Sequence, residues 1–97
     1  MDDIHRDILR RNRSALSKDL EPKKILSNLV DVLDVQDEEK IRAKKKRKGA
    51  SFALLDMLPR RGQKAFGVFM EALQKKQPHL AVYLGEQFFS IYKRQLK

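Results

Sequence analysis

Apolar residues recur along this chain at intervals of three and four, the spacing of one face of an α-helix, and polar or proline-bearing breaks divide them into six runs. Ile4, Ile8, Leu9, Ala15, Leu16 and Leu20 predict a first helix over 2–20. Asp2, Asp3 and Asp7 lie near its start and Arg10, Arg11, Arg13 and Lys18 further along, the order that a helix dipole favours. Glu21-Pro22 interrupts it, and proline suits the first turn of the next helix. Ile25, Leu26, Leu29, Val30 and Leu33 predict that second helix over 22–33. A short third helix over 36–45 rests on Val35, Ile41 and Ala43. A charged connector ending in Gly49 leads to a fourth over 50–58, with Phe52, Leu54, Leu55 and Leu58 facing inward and Pro59 stopping it. Arg60, Arg61 and Gly62 form a tight turn. The fifth helix, 63–75, carries Ala65, Phe66, Phe69, Met70, Ala72 and Leu73. The sixth, 78–95, begins at Pro78 and turns Leu80, Ala81, Tyr83, Leu84, Phe88, Ile91 and Tyr92 inward, ending in the basic tail Lys93, Arg94, Gln95, Leu96 and Lys97. No stretch alternates as a strand does, and nothing repeats. The pattern is that of an all-α protein, a six-helix antiparallel bundle.

A chain of 97 residues, 41% hydrophobic, suits one domain over 1–97 with one core. All seven aromatics fall from Phe52 onward and most keep helical spacing, which points to core packing rather than a base-stacking platform. Chemistry has little to work with. Cysteine is absent, so disulfides, thiolate metal sites and cysteine nucleophiles are excluded. His5 and His79 stand far apart without a ligand at metal spacing, and both read as surface residues. The four glycines form no phosphate loop: Gly49 and Gly62 read as turn residues, Gly67 and Gly85 as points of close packing within helices. No catalytic residue, cofactor or metal site is expected, and the chain does not read as an enzyme. No apolar run approaches the ~18 residues of a membrane span. The charged N-terminus is no signal peptide, so a cytosolic or nuclear protein is expected, with the Asn12-Arg13-Ser14 sequon bare of glycan.

Charge changes the picture more. The net charge is +9, and it is unevenly spread. Seven of the 13 acids fall between positions 19 and 39, and seven basic residues follow between 40 and 48. Separate acidic and basic regions let a domain dock on a relative or on a copy of itself.

Residues 54–73 read Leu54-Leu55-Asp56-Met57-Leu58-Pro59-Arg60-Arg61-Gly62-Gln63-Lys64-Ala65-Phe66-Gly67-Val68-Phe69-Met70-Glu71-Ala72-Leu73. This stretch resembles the caspase recruitment domain (CARD) family of the death-fold superfamily. There the fourth helix ends in Leu-Leu-x-x-Leu-Pro-x-Arg-Gly, and the fifth opens with Ala-Phe-x-x-Phe. Ile8-Leu9-Arg10-Arg11-Asn12-Arg13 is similar to the first helix of initiator-caspase members, and Gln77-Pro78-His79-Leu80 to their entry into the sixth. The likeness covers nearly the whole chain and departs most at the lysine run, where many relatives are less basic. It implies a Greek-key-like topology and a first helix that is often bent or split.

The resemblance also implies a function: homotypic CARD–CARD binding that regulates apoptosis or caspase activation by recruiting or blocking an initiator caspase or its adaptor. Self-association into helical assemblies is a further implied property. A docking mode common in the family sets a basic surface on the first and fourth helices against an acidic one on the second and third. The basic candidates are Arg10, Arg11 and Arg13, with Arg60 and Arg61 for a second contact; the acidic candidates are Asp31, Asp34, Asp37, Glu38 and Glu39. Each is equally readable as an ordinary solvated charge. Lys44, Lys45, Lys46, Arg47 and Lys48 read foremost as a solvated connector and secondarily as a nuclear import signal. The rival function is a basic helical nucleic-acid-binding domain, which the charge permits but no reading motif supports. A caspase prodomain, an adaptor domain and a standalone decoy all remain open.

Overall fold

Leucine, isoleucine and phenylalanine at helical spacing need a common partner surface, and in the computed structural model, which describes residues 1–95 with side chains excepted at 92, 94 and 95, they find it in one another. The helices are α1 (Asp3–Arg11), α2 (Arg13–Asp19), α3 (Pro22–Ile25), α4 (Val35–Arg42), α5 (Arg47–Met57), α6 (Ala65–Lys76) and α7 (Pro78–Gln95). Single 3-10 turns, Leu26–Asn28 and Leu58–Arg60, extend α3 and α5. No strand occurs among the described residues. α7 lies against α1 and α6, α5 lies against α2, α3 and α4, and α3 also touches α6. Ile8, Leu16, Leu20, Ile25, Leu29, Ile41, Leu54, Leu58, Phe69, Leu73 and Leu84 are fully buried between them. Truncating such a leucine to alanine costs about 2–5 kcal/mol.

The all-helical class is the one the sequence implies; the first helix, which the periodicity predicts as one, is two, as the resemblance implies. The break falls at Asn12, whose side chain is buried. Its Nδ2 donates to the Ile8 carbonyl at 2.9 Å, and its Oδ1 accepts from the Tyr83 hydroxyl of α7 at 2.6 Å. The first bond adds a second donor to a carbonyl that already accepts the Asn12 backbone N–H, and the second fixes the corner from the far end of the chain. With the corner, α1 rests on α7 and α2 on α5; the expected Ala15 is left exposed.

The second helix is shorter than expected. It stops at Asn28, and turns carry the chain to Leu33. Ser27 and Asn28 have low helix propensity because their side chains compete for the backbone. Leu29 and Leu33 reach the core from turns, while Val30, expected inward, is 66% exposed. α5 instead starts early, at Arg47, so Gly49 lies within a helix rather than in a turn. Phe52 is half-buried rather than inward: the Arg13 guanidinium lies 4.0 Å above its ring. Gly62 does turn the chain, with φ 93°, a conformation that L side chains avoid. Gly67 and Gly85 are exposed, with nothing near where a Cβ would stand, and are not close-packing points. His5 is not a free surface residue: its ring stacks on Phe66 with centroids 4.1 Å apart, near Phe88, and this burial lowers its pKa. His79 is exposed. The expected inward face of Tyr92 and most of the basic tail (Arg94 and Gln95 as side chains, Leu96, Lys97) lie outside the described residues.

Candidate interaction surfaces

α1 winds Arg6, Arg10 and Arg13 onto one side of its line, at spacings of four and three that α2 continues past the corner. The end of α5 and its 3-10 turn come alongside. Where they meet, a groove of about 360 Å³ has an apolar floor of Leu9, Leu55 and Pro59. Its rim is Arg6, Arg10, Arg13 and Arg60, with Asp56 as the acid among them. Three of the five arginines picked out in the sequence therefore meet at one place. Arg6 joins them unforeseen, although its spacing from Arg10 and Arg13 is the signal that marks it.

The rim is partly neutralised. Arg13 holds Asp56 with two parallel bonds, Nε to Oδ1 at 3.0 Å and Nη2 to Oδ2 at 2.9 Å. Arg10 reaches Asp7 at 2.5 Å, Arg11 takes the other oxygen of Asp7 at 2.7 Å, and Arg6 stands 3.6 Å from Asp3. Bonds from Arg10 and then Arg11 hold the Asp7 carboxyl below its ordinary pKa. Arg60 is exposed and has no ion pair among the described residues. Arg11 is tied to Asp7 beside the groove rather than lining it.

Arg61 follows a different course from its neighbour. Its Nε and Nη2 bond both oxygens of Asp37, at 2.7 and 2.5 Å. The Asp37 side chain is 4% exposed. Asp37 also completes a reciprocal cap on α4: it donates its N–H to Asp34 Oδ1 at 2.8 Å, and its Oδ2 accepts the Asp34 N–H at 3.2 Å. The Arg61 bonds, then those of the cap, hold its carboxyl below the usual range. Two residues assigned in the sequence to opposite partner-binding surfaces thus bind each other, and the bond fixes the turn after α5 to α4. The physical reason is desolvation: a carboxylate this buried needs a cation and N–H donors close by.

The remaining acids stay outward. Asp31, Asp34 and Glu39 are exposed, and Glu38 pairs with Arg42 one turn on, at 2.9 Å. Asp31 and Glu39 have no ion pair among the described residues. Val30 and Val35 stand exposed among these acids, at 66% and 71%, so the face is mixed apolar and acidic. Neither valine was foreseen as surface.

The lysine run is not one solvated connector. Arg47 opens α5, and its Nη1 donates to the carbonyls of Ser17 at 2.8 Å and Leu20 at 2.9 Å. Ser51 also donates to Leu20 O, at 3.1 Å. These bonds satisfy carbonyls that the end of α2 leaves without partners. Lys44, Lys45, Lys46 and Lys48 are exposed, and Lys48 is helical. Gln77 serves the same corner from the other side: Nε2 donates to Asp19 O and Oε1 accepts Glu21 N–H, both at 2.8 Å.

Among the described residues no three His, Cys, Asp or Glu side chains come together to hold a metal. None of the described helices is long and apolar enough to cross a membrane. Phe89 is the largely exposed aromatic among the described residues, at 60%; Phe66, Phe69, Tyr83 and Phe88 line the core or cover it, and Phe52 lies under Arg13.

Residues 6–87 match the family model of the caspase recruitment domain. The chain belongs to the CARD family. It is also similar to caspase-2 of Gallus gallus, 36% identical over 84 residues, which is 84% of this chain and 20% of that protein. It thus spans about a fifth of the length of the curated relative it matches. CARDs are homotypic protein-interaction modules of apoptotic and caspase signalling, an interaction family rather than a catalytic one. Within the matched range, Leu54 and Leu55 of α5, Leu58 and the phenylalanines Phe66 and Phe69 of α6 build the core, while Pro59 and Gly62 shape the turn between them.

Proposed function

We propose that this CARD docks on the CARD of an initiator caspase or of its adaptor, and so regulates caspase recruitment, through the arginine groove on one side and the acidic face around α4 on the other. The observation that carries this reading is the groove itself: an apolar floor ringed by four arginines, of which Arg60 has no carboxylate partner among the described residues. The floor supplies area to bury, and the charges choose the partner and speed its approach. A partner carboxylate can take Arg60 directly and compete with Asp7 and Asp56 for Arg10 and Arg13. The acidic working residues are then Asp31, Asp34, Glu38 and Glu39, with Val30 and Val35 between them. Asp37 and Arg61 hold the scaffold.

The test is charge reversal at Arg10 and Arg60, whose loss leaves the core untouched. The Arg10→Glu/Arg60→Glu protein is expected to keep its helical circular dichroism and to bind a caspase-2-type CARD at least about tenfold more weakly, about 1.4 kcal/mol. Equal affinity for both proteins, measured by calorimetry at fixed salt, would remove the groove from the interface. Adding the wild-type chain to an initiator-caspase activation assay separates recruitment, which raises activity, from blocking, which lowers it.

A further inference from the structure

Two basic segments twenty residues apart in sequence face each other across a second groove. Lys23 and Lys24 come from α3, Lys45 from the connector before α5, and Arg47 from its first turn; Pro22 and Ala50 form the apolar walls. The groove encloses about 310 Å³. Glu21 is the acid that lines it, and it is bonded to Lys24 at 2.8 Å, leaving a local excess of three positive charges. Lys23 and Lys45 have no ion pair among the described residues. Arg47 differs from Arg6, Arg10 and Arg13 of the first groove, because its bonds go to backbone carbonyls, which hold the guanidinium in place without cancelling its charge. Like charges gathered in a concave surface repel one another until an anion enters. An arginine already immobilised loses less entropy when it binds one. Guanidinium- and ammonium-bearing side chains gathered around one hollow suit phosphate oxygens. The number of cations and the volume call for several phosphates on one small ligand, and no aromatic lines the groove to stack a base.

We propose that the groove between α3 and the start of α5 binds the clustered phosphates of a small polyphosphorylated ligand, either a free polyphosphate or the headgroup of a phosphorylated lipid. It lies apart from the arginine groove and stands independently of the docking role. The probe is inositol hexakisphosphate, titrated by calorimetry at physiological salt. Saturable one-to-one binding is expected, reduced at least about tenfold in Lys23→Glu/Lys45→Glu and less, but measurably, in the milder Lys23→Gln/Lys45→Gln. The charge-matched control Lys64→Glu/Lys75→Glu, which alters the same net charge outside the groove, is expected to lose less than about threefold. Vesicles containing phosphatidylinositol bisphosphate form the second arm: binding confined to the soluble probe assigns a free ligand, and tighter binding on vesicles assigns a headgroup. Absence of binding in both arms overturns the proposal, as do equal losses in the groove and control variants. Displacement of the probe by a short DNA duplex at equal phosphate concentration also overturns it, since the groove would then belong to a nucleic-acid track.

Discussion

Two arginine–aspartate pairs in this CARD share a geometry and differ in surroundings. Arg61 grips Asp37 and Arg13 grips Asp56, each with two parallel bonds. Asp37 is 4% exposed, whereas Asp56 is 59% exposed. Water competes for the Asp56 carboxylate and hardly at all for that of Asp37. The same chemistry therefore holds the scaffold at one site and lies on an open surface at the other. Arg60 and Arg61, adjacent in sequence, fall on either side of that divide. What separates the two pairs is the burial of the aspartate, which the position of the arginine in the sequence does not reveal.

The sharpest way to break the comparison is to remove the cation from each pair. Arg61→Ala strands a buried carboxylate and is expected to cost about 2–3 kcal/mol, below the ~3–5 kcal/mol of a fully buried pair because Arg61 is itself a third exposed. Urea denaturation measures it, and a loss below that of Arg13→Ala would reverse the assignment. Acid sharpens the same point. The Asp37 carboxyl titrates below its ordinary value in the folded chain and near 3.9, roughly, in the unfolded one. The unfolded state therefore takes up the proton first as pH falls. The stability that the charged Asp37 contributes is complete above about pH 4 and fades below it. Wild type and Asp37→Asn should differ most at neutral pH and converge in acid; a gap that widens below pH 4, followed by circular dichroism, would contradict this.

Much of the bundle was legible before any coordinates. Pro59, Gly62 and the flanking leucines and phenylalanines mark the α5–α6 turn because each acts within a few residues of itself. Long-range bonds were not legible. The break at Asn12 interrupts an apolar pattern that runs straight through it, and its partner, Tyr83, lies 71 positions away. Arg47 looked like one cation among many; its acceptors are carbonyls, which every residue has. The acids were visible as a cluster, but only packing shows that Asp37 turns inward while Asp31 and Glu39 do not.

Smaller effects complete the contrast. Arg13→Ala is expected to cost less stability than Arg61→Ala, since it loses an exposed pair and a cation–π contact with Phe52. A double-mutant cycle should give a larger coupling for Arg61 with Asp37 than for Arg13 with Asp56; equal couplings would mean that burial is not the deciding variable. Least of all, Glu38→Gln should cost about 0.3–0.5 kcal/mol, the worth of a surface pair one turn apart, and the cost should shrink in high salt.

Gln77 has a consequence for how the domain opens. Its amide stands in for a peptide unit, donating to one side of the α2–α3 corner and accepting from the other, while its own backbone N–H closes α6 on Leu73. Any fluctuation that lifts the α6–α7 junction strips the corner of both partners at once. The Glu21 amide should therefore exchange with solvent deuterium in step with the amides at the start of α7, so that residues more than fifty positions apart breathe as a single unit.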